Sequence, residues 1–102
     1  MALLAIDAGT TGVTALLVDE AATVVARGYR EFPQYFPADG WVEHDLGEIW
    51  AATLAAVQEA LAGAPERVTA VGITNQRETL AIWDRETLGA ARRAIVWQDR
   101  RT

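Results

Sequence analysis

Residues 7–12 read Asp-Ala-Gly-Thr-Thr-Gly, and their types suit phosphate chemistry. Gly9 and Gly12 let backbone approach a ligand closely, and successive N–H groups in a tight turn form a concavity for anions. The hydroxyls of Thr10, Thr11 and Thr14 add donors for phosphate oxygens. Asp7 closes an apolar run and is placed to hold Mg²⁺ through water, as that hard cation prefers. The stretch is not a P-loop, because it lacks the Lys and is followed by strand-forming residues instead of a helix. The competing reading is an ordinary hairpin turn; an acid at the exit of a buried strand favours function.

A second candidate is Gln76-Arg77-Glu78, directly after the apolar run 68–74. Ligands of open α/β sheets sit beyond the carboxyl ends of strands. A guanidinium only donates and a carboxylate only accepts, so Arg77 and Glu78 together can hold a vicinal diol from both sides. A salt-bridged pair at a strand end is the alternative. Trp97, before Gln98-Asp99-Arg100-Arg101, offers an aromatic slab for a hydroxylated carbon skeleton, or else a core side chain. Trp41, Trp50 and Trp83 fit core or loop-anchor positions. His44, the single histidine, has no nucleophile beside it in sequence and is assigned to loop ordering.

These residues need a frame. Residues 2–7, 13–19 and 23–32 read as three strands with short linkers, hence an antiparallel meander. Residues 33–44 are loop, with an Asp39-Gly40 turn. Asp45 is an N-cap and Glu48 completes a capping box. Leu46, Ile49, Trp50, Thr53, Leu54, Val57 and Leu61 form an apolar stripe on a helix that stops at Gly63 and Pro65. Residues 68–74 form a fourth strand, expected to be buried on both faces and parallel to an earlier strand. Residues 79–84 and 92–97 read as a hairpin around 87–89, and 98–102 as the start of a helix. The fold class is α/β with a mixed sheet, and the pattern suggests the opening of a larger domain.

Composition narrows the function further. The 102 residues are 51% hydrophobic and 23% charged, the balance of a globular chain. The net charge is -5 and every basic residue is Arg, which argues against nucleic-acid binding. Absence of Cys excludes a disulfide framework, a thiolate metal site and a Cys nucleophile, and one His excludes a multi-His site. Residues 2–6 are too short for a membrane span and lack the basic flank of a signal peptide, so no membrane partner and a cytoplasmic location are expected.

Five segments occur together in order: Asp7-Ala8-Gly9-Thr10-Thr11, Arg30-Glu31-Phe32-Pro33-Gln34, Gly40-Trp41-Val42-Glu43-His44-Asp45, Gly72-Ile73-Thr74-Asn75-Gln76-Arg77-Glu78-Thr79, and Ile95-Val96-Trp97-Gln98-Asp99-Arg100-Arg101-Thr102. Over essentially the whole chain they resemble the N-terminal end of the glycerol kinases, in the FGGY carbohydrate kinase family. The resemblance implies an actin-like (ribonuclease H-like) fold, with residues 1–102 as the N-terminal part of the first kinase domain. It implies ATP and Mg²⁺ as cofactors and transfer of the γ-phosphoryl group to glycerol. It also implies a phosphate loop at Gly9, Thr10, Thr11, Gly12 and Thr14, with Asp7 near the metal. Arg77 and Glu78 would bind glycerol hydroxyls and Trp97 would pack on its carbons. Related xylulokinases are expected to carry Met-His where Arg77-Glu78 stands.

Gly12, Val13 and Thr14 replace the two serines and Arg common among glycerol kinases, which removes hydroxyls and a cation from the phosphate end. The general-base Asp, the second phosphate loop and the adenosine pocket are expected downstream, so no catalytic residue is assigned here and the 102 residues alone are expected to be inactive. A homo-oligomeric parent, dimer or tetramer, is expected. The alternatives are another FGGY polyol or sugar kinase and a non-catalytic actin-like nucleotide-binding module.

Overall fold

The computed structural model describes residues 1–64 and 67–102. Strands β1 (Ala2–Ala8), β2 (Gly12–Asp19) and β3 (Val24–Glu31) form the expected antiparallel meander. A short β4 (Glu43–His44) leads into helix α1 (Leu46–Ala62), and the chain returns as β5 (Val68–Asn75). β5 pairs parallel with β1, giving the sheet order β3-β2-β1-β5. β6 (Ala94–Ile95) pairs with β4 in a separate two-stranded sheet. Among the described residues no helix is long and apolar enough to cross a membrane.

The helix start follows from its cap. Asp45 has extended backbone and its Oδ1 accepts the Glu48 N–H at 3.0 Å, closing a donor that the first turn leaves open. The reciprocal half of the capping box is not made, because Glu48 Oε1 instead accepts the Tyr35 hydroxyl at 2.6 Å. Gly63 ends the helix with right-handed backbone, its N–H donating to Ala60 O. The expected contribution of Pro65 lies outside the described residues.

Alternation along the strands presents Leu4, Val13 and Ala15 to α1, where they join Phe32, Ala52, Ala56 and Ala60 in the core. The buried face of α1 is therefore the alanine row, with Ile49 and Val57 at its margins. Trp50, Leu54 and Leu61, expected in the buried stripe, are exposed. The cause is the close approach of helix and sheet: a Cβ on Gly28 would lie 1.9 Å from Ala56 O. At that spacing only small side chains fit between the layers. Glu59 reinforces the contact by accepting the Tyr29 N–H at 2.9 Å and the Arg30 guanidinium at 2.7 Å. These donors hold the Glu59 carboxyl below its usual range, the Tyr29 N–H first.

Three further expectations are corrected. β5 is almost wholly exposed instead of buried on both faces, because it is the sheet edge and α1 covers β1 to β3. The hairpin over 79–84 and 92–97 reduces to one bridge, Leu80 to Ile95, although the tight turn at 84–89 does form. The backbone of residues 94–101 is taken instead by 40–44: Val96 N–H donates to Val42 O and Arg100 N–H to Gly40 O. Residues 98–102 are for the same reason not helical. Asp99 accepts the Val42 N–H at 2.7 Å and both Nε and a terminal nitrogen of Arg101, and Arg101 reaches Glu43 and lies over the Trp41 ring. Hydrogen bonds from Arg101 hold the Asp99 carboxyl far below its ordinary value. Trp41 thus anchors a loop as expected, whereas Trp50 and Trp83 are exposed.

Candidate functional site

The parallel strands β1 and β5 end at the same edge of the sheet, and the Gln76 N–H extends their ladder to Ala8 O at 3.0 Å. Beyond that edge the chain makes two turns. One is the β1–β2 connection, in which Gly9 N–H donates to Gly12 O at 2.9 Å and Thr10 and Thr11 form the tip. The other is Arg77-Glu78, where Glu78 adopts left-handed backbone at φ 64°. That conformation costs a non-glycine residue about 1–2 kcal/mol, and such strain persists where the surroundings hold it.

Thr10, Asn75, Gln76, Arg77, Glu78 and Trp97 line one cleft of about 340 Å³. The three residues singled out for a polyol thus share a cleft with one residue of the candidate phosphate loop. Arg77 and Glu78 are exposed and form no ion pair among the described residues, contrary to the alternative of a salt-bridged pair. Trp97 is 52% exposed, so it is a wall of the cleft and not a core side chain.

Asp7 and Thr14 lie elsewhere. They face each other across β1 and β2 on the side of the sheet turned away from α1, with Thr74 of β5 as Asp7's other neighbour. These three line a cleft of about 350 Å³ whose floor includes Ala5, Leu16 and Gly72. Oxygen donors around one carboxylate suit a hydrated hard cation. Among the described residues no cluster of three acids or histidines could enclose a bare metal ion.

The loop glycines serve packing as well as access. Neither Gly9 nor Gly12 uses left-handed backbone. Gly12 is buried under β3, where a Cβ would meet Tyr29 Oη at 2.6 Å and Arg30 O at 2.7 Å. The Thr10 and Thr11 N–H groups have no acceptor among the described residues and remain available to an anion.

Beneath the first cleft runs a closed circuit of hydrogen bonds. Gln34 Nε2 donates to Thr10 O at 3.0 Å, and Gln34 Oε1 is 2.6 Å from His44 Nε2. His44 Nδ1 is 3.1 Å from Gln76 Nε2, and Gln76 Oε1 accepts the Thr79 hydroxyl at 2.7 Å. Thr79 Oγ1 accepts the Trp97 N–H at 3.3 Å, and the Trp97 indole Nε1 donates to Thr10 Oγ1 at 3.0 Å. His44 is fully buried, edge-on to Phe32, and desolvation lowers its pKa. The loop-ordering reading of His44 fits this placement. Gln34 and Thr79 were not singled out from the sequence. Both lie in segments that carry the family resemblance, but nothing local shows that Gln34 meets Thr10, 24 positions away, or that Thr79 meets Trp97, 18 positions away.

The fold and cleft can be set beside known proteins. The model of the FGGY family of carbohydrate kinases, N-terminal domain, matches residues 2–102. A glycerol kinase of Gluconobacter oxydans (strain 621H) is 54% identical over 102 residues, covering 98% of this chain and 20% of that protein. A glycerol kinase of Methylobacterium nodulans is 57% identical over 104 residues, covering 98% and 20%. The chain spans about a fifth of the length of the curated relatives it matches. Among solved structures, Plasmodium falciparum glycerol kinase with ADP superposes with a TM-score of 0.88 at 35% identity, over 98% of this chain and 21% of that one. A xyloylose kinase from Brucella ovis gives 0.92 at 31% identity, over 99% and 22%. The mixed sheet and helix α1 are those of the actin-like ATPase fold of these kinases. With a family match that runs from residue 2 to residue 102, the chain belongs to the FGGY family of carbohydrate kinases.

Proposed function

We propose that residues 1–102 are the N-terminal part of the first domain of a glycerol kinase, which transfers the γ-phosphoryl group of ATP to glycerol. The observation that carries this reading is the shared cleft of Arg77, Glu78, Trp97 and Thr10. Identity above half to curated glycerol kinases supports glycerol over the sugars of the structural neighbours at about 30% identity.

In this reading Arg77 donates to glycerol hydroxyl oxygens and the Glu78 carboxylate accepts from hydroxyl protons. Trp97 covers the carbon skeleton and removes water from it. The free N–H groups and hydroxyls at Thr10 and Thr11, with Gly9 and Gly12 shaping the turn, meet phosphate oxygens of ATP. Asp7 and the Thr14 hydroxyl fit a hydrated Mg²⁺, which when bound would neutralise phosphate charge. The chain's own contribution is positioning and hydrogen-bond donors for phosphate charge, and positioning with charge stabilisation is the main component of phosphoryl-transfer catalysis. The base that takes the glycerol proton belongs to the remainder of the parent protein. A cytoplasmic, homo-oligomeric parent, dimer or tetramer, belongs to the same proposal.

The test is a coupled kinase assay on the full-length parent with glycerol, xylulose and gluconate. ATP-dependent turnover with a kcat/KM highest for glycerol is expected. A higher value for a sugar would reassign the cleft, and no turnover with any of them would favour a non-catalytic module.

A further inference from the structure

We propose that His44 is a positioning residue for the polyol cleft, acting through the two glutamines on either side of it. The inference rests on the glycerol-kinase reading for the identity of the ligand, and on the hydrogen-bond circuit for the role.

The circuit leaves His44 one protonation pattern. Gln34 points its amide nitrogen at two carbonyls, Thr10 O at 3.0 Å and Phe32 O at 3.3 Å. Its Oε1 therefore faces His44, and His44 Nε2 must carry a proton to donate. On the other side, Thr79 has one hydroxyl proton. Its oxygen accepts the Trp97 N–H, and the proton goes to Gln76 Oε1. The Gly9 carbonyl can only accept, so the Gln76 amide nitrogen lies toward it and toward His44 Nδ1, and Nδ1 must be bare. Neutral His44 with the proton on Nε2 satisfies every member. A protonated ring would set an N–H against an NH₂ group. Burial, which favours the neutral form, works in the same direction.

The consequence reaches the cleft at two points. Through Gln34, His44 holds the Thr10 carbonyl at the tip of the phosphate loop. Through Gln76 and Thr79, it holds the Trp97 backbone, while the Trp97 indole closes onto the Thr10 hydroxyl. Arg77 and Glu78 directly follow Gln76, so the same anchor sets where their turn begins. Among the described residues, the cleft-lining side chain to which His44 hydrogen-bonds is Gln76. Its effect on ligand is thus indirect, through the orientation of amides that could otherwise rotate.

The test uses three variants of the full-length parent. His44→Phe keeps an aromatic ring against Phe32 and removes both hydrogen bonds. His44→Gln can still donate to one neighbour and accept from the other. Thr79→Val keeps the shape and frees Gln76 to rotate. Expected for His44→Phe and Thr79→Val is a rise in KM for glycerol of about tenfold with a smaller change in kcat, the scale of one lost buried hydrogen bond. His44→Gln should recover to within about threefold of wild type on the same scale. In parallel, proton NMR follows solvent exchange of the Trp97 indole N–H, assigned through Trp97→Phe. Its exchange should accelerate in His44→Phe and Thr79→Val and return toward wild type in His44→Gln.

A merely structural role would lower the amount of active protein and leave KM unchanged. Wild-type KM and wild-type indole exchange in whichever of His44→Phe and Thr79→Val is folded would overturn the inference. If the wild-type parent does not use glycerol, the functional reading fails by itself. The indole exchange then decides the role of His44: acceleration supports it and wild-type exchange overturns it.

Discussion

The indole N–H of Trp97 donates to the Thr10 hydroxyl at 3.0 Å, joining residues 87 positions apart. The bond ties the tip of the β1–β2 turn to the wall of the cleft lined by Arg77 and Glu78. With one lone pair of Thr10 Oγ1 occupied by the indole, its proton is free to point outward. In the proposed reading, the wall of the polyol cleft thereby also orients a donor for phosphate.

Trp97→Phe keeps a smaller aromatic ring at the wall and removes this N–H. In the full-length parent the KM for Mg-ATP should rise about three- to tenfold, the range for a neutral hydrogen bond. Initial-rate kinetics with varied ATP at saturating glycerol measures it. An unchanged ATP KM would mean that the Thr10 hydroxyl is oriented without Trp97.

Arg77→Ala and Glu78→Ala should each reduce kcat/KM for glycerol by about 1–3 kcal/mol, since each leaves a polar partner unmatched. Glu78 allows a sharper separation of site from fold. Glu78→Gly relieves left-handed backbone at φ 64° and should leave stability unchanged or raise it by up to about 1 kcal/mol. Activity should fall as far as in Glu78→Ala. Thermal melts and glycerol kinetics on the same samples decide, and a lower melting temperature with intact activity would contradict the assignment.

Gly28→Ala should be the most damaging small substitution. Its Cβ would sit 1.9 Å from Ala56 O, so helix and sheet must separate, at a cost of about 3 kcal/mol or more. Gly72→Ala meets nothing within 4 Å and should be neutral or slightly stabilising. Chemical denaturation of the two variants compares them, and similar midpoints would refute the close approach of the layers.

Stability should fall as pH drops below about 6.5, the ordinary pKa of His44. Burial lowers the folded value, so the unfolded chain binds a proton that the folded chain resists. Stability is fully present above the unfolded pKa and is lost as pH falls toward the folded one. Among the described residues the polar side chains bonded to the ring are Gln34 and Gln76, neither of them charged. Melting temperatures from pH 8 to pH 5 should show a slope in the wild type that is reduced in His44→Gln.

Asp45→Ala should destabilise by about 1 kcal/mol through loss of the Glu48 N–H acceptor. A melt indistinguishable from wild type would show that water replaces the cap.

Local chemistry was enough for the meander, the helix and the parallel return. Alternating apolar residues, the Asp45 cap and the Gly63 stop act over a few positions, and they appear in the structure within a residue or so of expectation. Glycine, threonine, Arg-Glu and Trp stood out as candidates by type. Which of them meet depended on packing. Asp7 and Thr14 share one face of the sheet by register, whereas Thr10 turns over its end toward Trp97. The buried side of α1 was misread because Trp50, Leu54 and Leu61 carry more hydrophobicity than Ala52, Ala56 and Ala60. Distance between the layers, set at Gly28, overrules that preference. Exposure of β5 depends on strand order, which no single strand encodes. The circuit through His44 joins residues from separate loops and strands, and a buried polar group acquires its meaning only from partners that the whole fold delivers.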